Sequence, residues 1–166
     1  MRRGAALAAV CAVLFLTFLD NTIIGVSLAD MQKSLRAGVP SLQWIVDGYM
    51  LAFTGLMLTG GTLGDLLGRK KLMLAGITLF ATGALIGAVA SSPGALIAAR
   101  VVMGVGAAAS EPGTLSIITV TFPPHERARA IGLWAGMSGL ALALGPTLGG
   151  WMVERLGWQS VFFLNV

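Results

Sequence analysis

Charge is scarce in this sequence. Only 11% of its 166 residues are Asp, Glu, Lys or Arg, against about 25% in ordinary soluble domains. A water-facing surface of normal polarity cannot be built from so few charges. One cysteine, Cys11, excludes an internal disulfide and a cysteine-rich metal site. One histidine, His125, stands beside Glu126 and Arg127 in a polar segment, where a solvated side chain is expected. No H-E-x-x-H, no G-x-S-x-G and no P-loop is present, so metalloprotease, serine hydrolase and ATP-driven readings lack their residues. No enzyme activity, metal or cofactor is expected. The formal charge of +4 is not gathered into a basic patch interleaved with aromatics, so nucleic acid is not an expected partner.

What is abundant is apolar length. Five segments, about 5–29, 42–63, 72–90, 94–121 and 128–152, are each near the roughly 20 residues that cross a bilayer, and a sixth starts at 158. The breaks between them combine charge, Gly or Pro with lost hydrophobicity. The fold class expected is an all-α integral membrane protein, with residues 1–166 as one transmembrane domain and the lipid bilayer as its first partner. Gly and Ala are plentiful, as close packing of membrane helices requires. The Lys/Arg bias gives an orientation. With the N-terminus cytoplasmic, Arg2, Arg3, Arg69, Lys70, Lys71, Arg127 and Arg129 lie inside, and only Lys33, Arg36 and Arg155 lie outside. Arg2-Arg3 before an apolar run could imitate a cleavable leader, but the run is too long and is interrupted by Asp20-Asn21-Thr22. An uncleaved, multi-pass protein of the cell membrane is the expectation.

Between the second and third segments stands a short charged loop, residues 61–71, reading Gly-Thr-Leu-Gly-Asp-Leu-Leu-Gly-Arg-Lys-Lys. Gly64 and Gly68 permit a tight turn. Asp65 can accept from free amides at a helix N-terminus, where the dipole also favours an anion. An ordinary positive-inside hairpin would explain the bases but not the glycine spacing. That spacing resembles the cytoplasmic loop motif of the major facilitator superfamily, G-x-L-A-D-x-x-G-R-K. Gly61, Leu63, Asp65, Gly68, Arg69 and Lys70 match it, Gly64 replaces the usual alanine, and Leu66 stands where a basic residue is common. Further resemblances follow in order. Arg100 to Ala108 is similar to the fourth-helix R-x-x-x-G-x-G-A-A pattern. Gly145-Pro146-Thr147-Leu148-Gly149-Gly150 is similar to the fifth-helix antiporter motif, with Ala141 at its upstream glycine. Leu19-Asp20-Asn21-Thr22, Leu42-Gln43-Trp44 and the run from Trp158 to Asn165 resemble the 14-helix drug:H⁺ antiporter branch.

Ionisable residues inside a bilayer are costly and default to functional hypotheses. Asp20 lies well inside the first span. It reads either as a hydrogen-bonded acid that holds helices together or as a protonatable site; the resemblance, in which drug antiporters use first-helix acids, favours the second. Arg100 reads either as an arginine snorkelling to the outer boundary or, as the resemblance implies, as part of proton coupling. Inside the span it needs a partner because it does not usefully neutralise, and Asp20 or Asp47 can supply one. Glu111 follows Arg100 by 11 residues on nearly the same face, roughly 16 Å deeper. It departs from the family, which is commonly apolar there. Pro112 and Gly113 beside it predict a bent helix with freed carbonyls. Glu111 reads equally as a lining residue of a substrate path or as a buried acid without that role, and Asp47 as a path residue or a solvated helix-end acid. Ala141, Gly145 and Gly149 form a small-residue stripe for close helix contact, with Pro146 able to kink the helix.

The resemblance implies a proton-coupled transporter exporting hydrophobic or cationic small molecules in exchange for protons by alternating access. Asp20, Arg100, Asp47 and Glu111 are its candidate coupling and path residues. Gly61, Asp65, Gly68, Arg69 and Lys70 are a candidate cytoplasmic gate, and Gly145, Pro146, Gly149 and Gly150 a candidate antiporter motif. Five helices and a stub would make the N-terminal half of such a fold, with the C-terminal half expected as a missing partner. The alternative is a truncated, non-transporting membrane protein with a structural or interaction role.

Overall fold

The computed structural model describes residues 3–166 of the chain, so Arg2 of the orientation argument lies outside the described residues. Among the described residues six helices follow one another: α1 Arg3–Leu35, α2 Val39–Leu67, α3 Arg69–Ala88, α4 Pro93–Thr121, α5 Pro124–Leu156 and the short α6 Gln159–Phe163. The first five are long and apolar enough to cross a membrane. They outrun the apolar segments: α1 and α5, at 33 residues each, span about 50 Å at 1.5 Å per residue, against about 30 Å of hydrocarbon. Backbone hydrogen bonding continues past the point where hydrophobicity stops, because helical residues beyond the bilayer need not be apolar.

Local chemistry sets the helix ends. Pro40, Pro93 and Pro124 occupy first turns, where a missing N–H costs nothing. Ser92 caps α4 by accepting from the Ala95 amide at 3.3 Å. The charged loop of residues 61–71 is almost entirely helical, and its turn is the single residue Gly68 at φ 98°. Gly68 donates to the Gly64 carbonyl and accepts from the Leu72 amide, each at 3.1 Å, so both helices stay bonded up to the hinge. Only glycine adopts that backbone without strain.

Consecutive long helices alternate in direction. Arg3, Arg69, Lys70, Lys71, Arg127 and Arg129 therefore gather at one end of the bundle, and Lys33, Arg36 and Arg155 at the other. α4 is the central element, packed along both α2 and α3, while α1 lies along α5 and crosses α4. Backbones meet at glycines. A Cβ on Gly60 would land on the Ala108 carbonyl oxygen, one on Gly104 would strike the Tyr49 carbonyl, and one on Gly76 would sit 2.6 Å from the Gly106 oxygen. Ala108 precedes Pro112 by four residues, so proline leaves its carbonyl without a helical donor. Gly60 of α2 lies against that oxygen.

The outer surface is inverted relative to a soluble protein. Leu58 is 87% exposed, Val120 77% and Leu66 76%, as lipid-facing residues should be. The interior cluster runs from Leu19 and Ile23 through Tyr49, Phe80 and Met103 to Trp158 and Phe162, so the start of the sixth helix is already part of the core.

Candidate functional site

The deepest polar feature joins three helices. Asp20 on α1 and Arg100 on α4 form an ion pair, Nη1 to Oδ2 at 2.5 Å, with both side chains at most 1% exposed. Arg100 also donates through Nε to the Ile45 carbonyl at 3.2 Å. Its guanidinium carbon sits 4.2 Å from the Tyr49 ring centroid, a cation–π contact in a dry setting. On the other side Asn165 Nδ2 donates to Asp20 Oδ1 at 2.7 Å. Both carboxylate oxygens of Asp20 are thus engaged, one by a cation and one by a neutral amide. Among the described residues the Asn165 Oδ1 and the Trp158 Nε1 close by in the chain are buried without a partner.

Of the two acids expected to serve Arg100, only Asp20 does. Asp47 is exposed on α2 and makes no ion pair among the described residues. Two residues separate it from both Ile45 and Tyr49, which face the core. Turning an α-helix by two residues rotates the side chain about 200°, away from that face.

Glu111 lies on the same helix as Arg100 but in a separate environment. It is 8% exposed and accepts from Thr17 Oγ1 at 3.4 Å. Its backbone oxygen accepts from Thr114 Oγ1 at 2.7 Å, and Thr114 in turn accepts from the Trp134 indole N–H at 3.1 Å. The carboxyl borders a cavity of about 310 Å³ whose other walls are Leu14, Phe18, Phe53, Met57, Pro112, Leu115 and Trp134.

Asp65 behaves differently from the sequence expectation of an amide-capping acid. It lies in the last turn of α2 and takes Arg69 instead, at 3.0 Å from both Nε and Nη2, and no side chain caps α3. Four residues across the Gly68 hinge bring the two together. Gly61, Asp65 and Arg69 line a small cleft against Ala109, Pro112 and Gly113 of α4, while Lys70 is exposed. From the middle of α5 onward, Ala141, Gly145 and Gly149 form a buried stripe. It faces α1: a Cβ on Gly145 would overlap Thr22 Oγ1, and one on Gly149 would sit 2.9 Å from Ile23 Cγ2. Gly150 is partly buried near Val26, and Pro146 points outward. His125, as expected, is exposed, 3.7 Å from Glu126.

Sequence reasoning missed the parts played by Asn165, Tyr49 and Thr17. Asn165 carried a signal, a polar residue ending the apolar run 161–164, but nothing in one dimension aims it at Asp20.

Five helices long and apolar enough to cross a membrane, packed around a buried ion pair, define a multi-pass membrane protein. The chain belongs to the Major Facilitator Superfamily, whose family model matches residues 10–166. It is 40% identical over 154 residues to the multidrug resistance protein Stp of Mycobacterium tuberculosis, covering 92% of this chain and 29% of that one. It is 39% identical to the tetracenomycin C resistance and export protein of Streptomyces glaucescens, over 99% of this chain and 31% of the relative. The methylenomycin A resistance protein of Bacillus subtilis is also 39% identical, over 98% and 35%. The chain therefore spans about a third of the length of these curated relatives. In fold it resembles a bacterial homolog of the human lysosomal transporter Spinster, with a TM-score of 0.79 at 21% identity, over 98% of this chain and 40% of the other.

Proposed function

We propose that this chain forms the first membrane bundle of a proton-coupled exporter of small molecules, working by alternating access. The observation that carries the reading is the Asp20–Arg100–Asn165 cluster, an ionisable pair shared by α1, α4 and the start of the sixth helix. Protonating Asp20 removes the charge that Arg100 answers, while Arg100 keeps the Ile45 carbonyl and the Tyr49 ring. The three helices are then tied less tightly, so the proton has different affinities for two arrangements of the bundle. Such a difference is the only means by which a proton can shift their balance.

Orientation follows the positive-inside rule, with the end bearing Arg3, Arg69, Lys70, Lys71, Arg127 and Arg129 in the cytoplasm of a cell-membrane protein. The Asp65–Arg69 pair is then a cytoplasmic latch. It is half exposed and weak by itself, at about 0–1 kcal/mol, which suits a contact that is made and broken in each cycle. The stripe of Gly145 and Gly149 against α1 keeps that helix pair dry and limits proton leak. α2 and α5 bury little of their surface. Their proposed partner is a second membrane bundle, such as the remaining length of the relatives would supply.

A chimera tests the proposal. Residues 10–166 replace the matching segment of a full-length relative, and dye efflux from vesicles is driven by an imposed pH gradient. Efflux should occur with the parent chimera and be abolished by Asp20→Asn at equal membrane abundance. Unchanged efflux in that variant would contradict the role of Asp20. No pH-dependent efflux by the parent would contradict transport.

A further inference from the structure

Each carboxylate oxygen of Asp20 faces a donor: Arg100 Nη1 holds Oδ2, and Asn165 Nδ2 holds Oδ1 at 2.7 Å. A proton added to that carboxyl needs an acceptor where a donor now stands. Arg100 has none to offer, because a guanidinium only donates. Asn165 has one. Its side-chain amide carries a donor and an acceptor on the same carbon, and half a turn about the last torsion exchanges them. The acceptor is idle at present: Asn165 is 7% exposed, and among the described residues its Oδ1 is buried with no hydrogen-bond partner. A buried oxygen left unpaired is costly, and ionised Asp20 has no hydrogen with which to relieve it. The only other bond of Nδ2 is a long one to the Val161 carbonyl, at 3.4 Å, so little else resists the turn.

No other ionisable group stands on that side of Asp20. α4 presents Arg100, and α2 presents Tyr49, whose ring lies against the guanidinium. α5 meets α1 through Gly145 and Gly149, and residues 157–166 contain no titratable side chain. Glu111 bonds to Thr17 instead. We infer that Asn165 is a positioning residue that reads the protonation state of Asp20: it donates through Nδ2 to the carboxylate and, after an amide flip, accepts through Oδ1 from the carboxylic acid. The proton comes from water and forms one O–H bond on Asp20 Oδ1; at Asn165 only hydrogen bonds change. Arg100 then donates to a neutral carbonyl oxygen, a weaker bond than the charged pair. α1 thus stays joined to the sixth-helix segment in both states, while its link to α4 weakens. The inference deepens the transport reading and rests on it for its purpose.

Infrared difference spectra of the 166-residue chain in nanodiscs test the flip. Asn21 and Asn165 are its two asparagines. Asparagine labelled with carbon-13 at the side-chain carbonyl therefore gives two bands, and Asn165→Gln removes one of them. As pH is lowered and an acid band absent from Asp20→Asn appears, the Asn165 band should move to lower frequency, as it does for an oxygen that begins to accept. A band that stays or rises means that the amide still donates, and overturns the inference. A mutant cycle gives a second reading. Asp20→Asn is a neutral analogue at every pH, and its own N–H turns towards Asn165 because Arg100 claims its oxygen. Asn165→Leu should lower the unfolding midpoint both with Asp20 and with Asp20→Asn, and Asn165→Gln, which keeps donor and acceptor, should recover part of each loss. An amide fixed as donor would meet a donor in Asp20→Asn, so a neutral or stabilising Asn165→Leu in that background overturns the inference. If Asp20 stays ionised across the pH series, the cycle decides; if the double variant does not fold, the spectra decide. A flip in a chain that moves no solute fails only the transport reading. A chimera whose efflux needs Asp20 while the Asn165 band is unmoved by its proton fails only this one.

Discussion

Asp20 and Arg100 illustrate how far one buried charge depends on another. Each alone inside the bundle would be strongly unfavourable, while the pair together, with further hydrogen bonds from Asn165 and to the Ile45 carbonyl, is tolerated. Asp20→Leu or Arg100→Met should each cost about 3–5 kcal/mol, because one charge is left buried and unanswered. The double variant should lose much less than the sum. Unfolding midpoints of the four proteins in detergent check this, and additive losses would mean the pair is not coupled. Both residues were legible in the sequence, since each interrupts an apolar run and must be answered. Asp47 was equally conspicuous there and turned out to face outward. Hydropathy marks that a charge lies in a span but not which way the helix is rolled. Glu111 and Thr17 meet across 94 positions, a pairing no local pattern encodes.

At the scale of helices, glycine position decides what touches what. Along α5, Gly145 has no room for a Cβ because Thr22 of α1 occupies it, whereas Gly139 has open space around it. Gly145→Ala should therefore destabilise the α1–α5 pair by about 1–3 kcal/mol through overpacking. Gly139→Ala should be neutral or stabilising by about 0.5–1 kcal/mol, as expected for replacing glycine in a helix. Paired thermal midpoints distinguish the two, and equal losses would contradict the close contact. The four-residue recurrence of small side chains on α5 announced a packing face. That its neighbour is α1, and not α4, came only from the assembled bundle. The segment of residues 61–71 shows the reverse error: its charges look like a loop, yet the backbone is helical up to one glycine hinge.

For the molecule as a whole, the distribution of bases carries a testable orientation. With Cys11 replaced by serine, a single cysteine at Lys70 should be labelled by a membrane-impermeant maleimide only after cells are opened. One at Arg36 should be labelled in intact cells. The opposite pattern would reverse the orientation proposed from the positive-inside rule. The same antiparallel order sets the basic ends and central α4 in their places, and it follows from short connections between spans too long to do anything but reverse.

The sequence alone determined that this chain crosses a membrane repeatedly, roughly where, and which charges need answers. Those properties depend on transfer free energies that add along the chain, residue by residue. Tertiary structure decided that Asp20 rather than Asp47 meets Arg100, that Asn165 completes the pair, and that Glu111 faces an aromatic cavity. Such outcomes depend on how each helix is rolled and how closely it approaches its neighbours. Roll and approach are settled jointly by small-residue contacts such as Gly60 on Ala108 and Gly145 on Thr22, which exist only once the helices have packed.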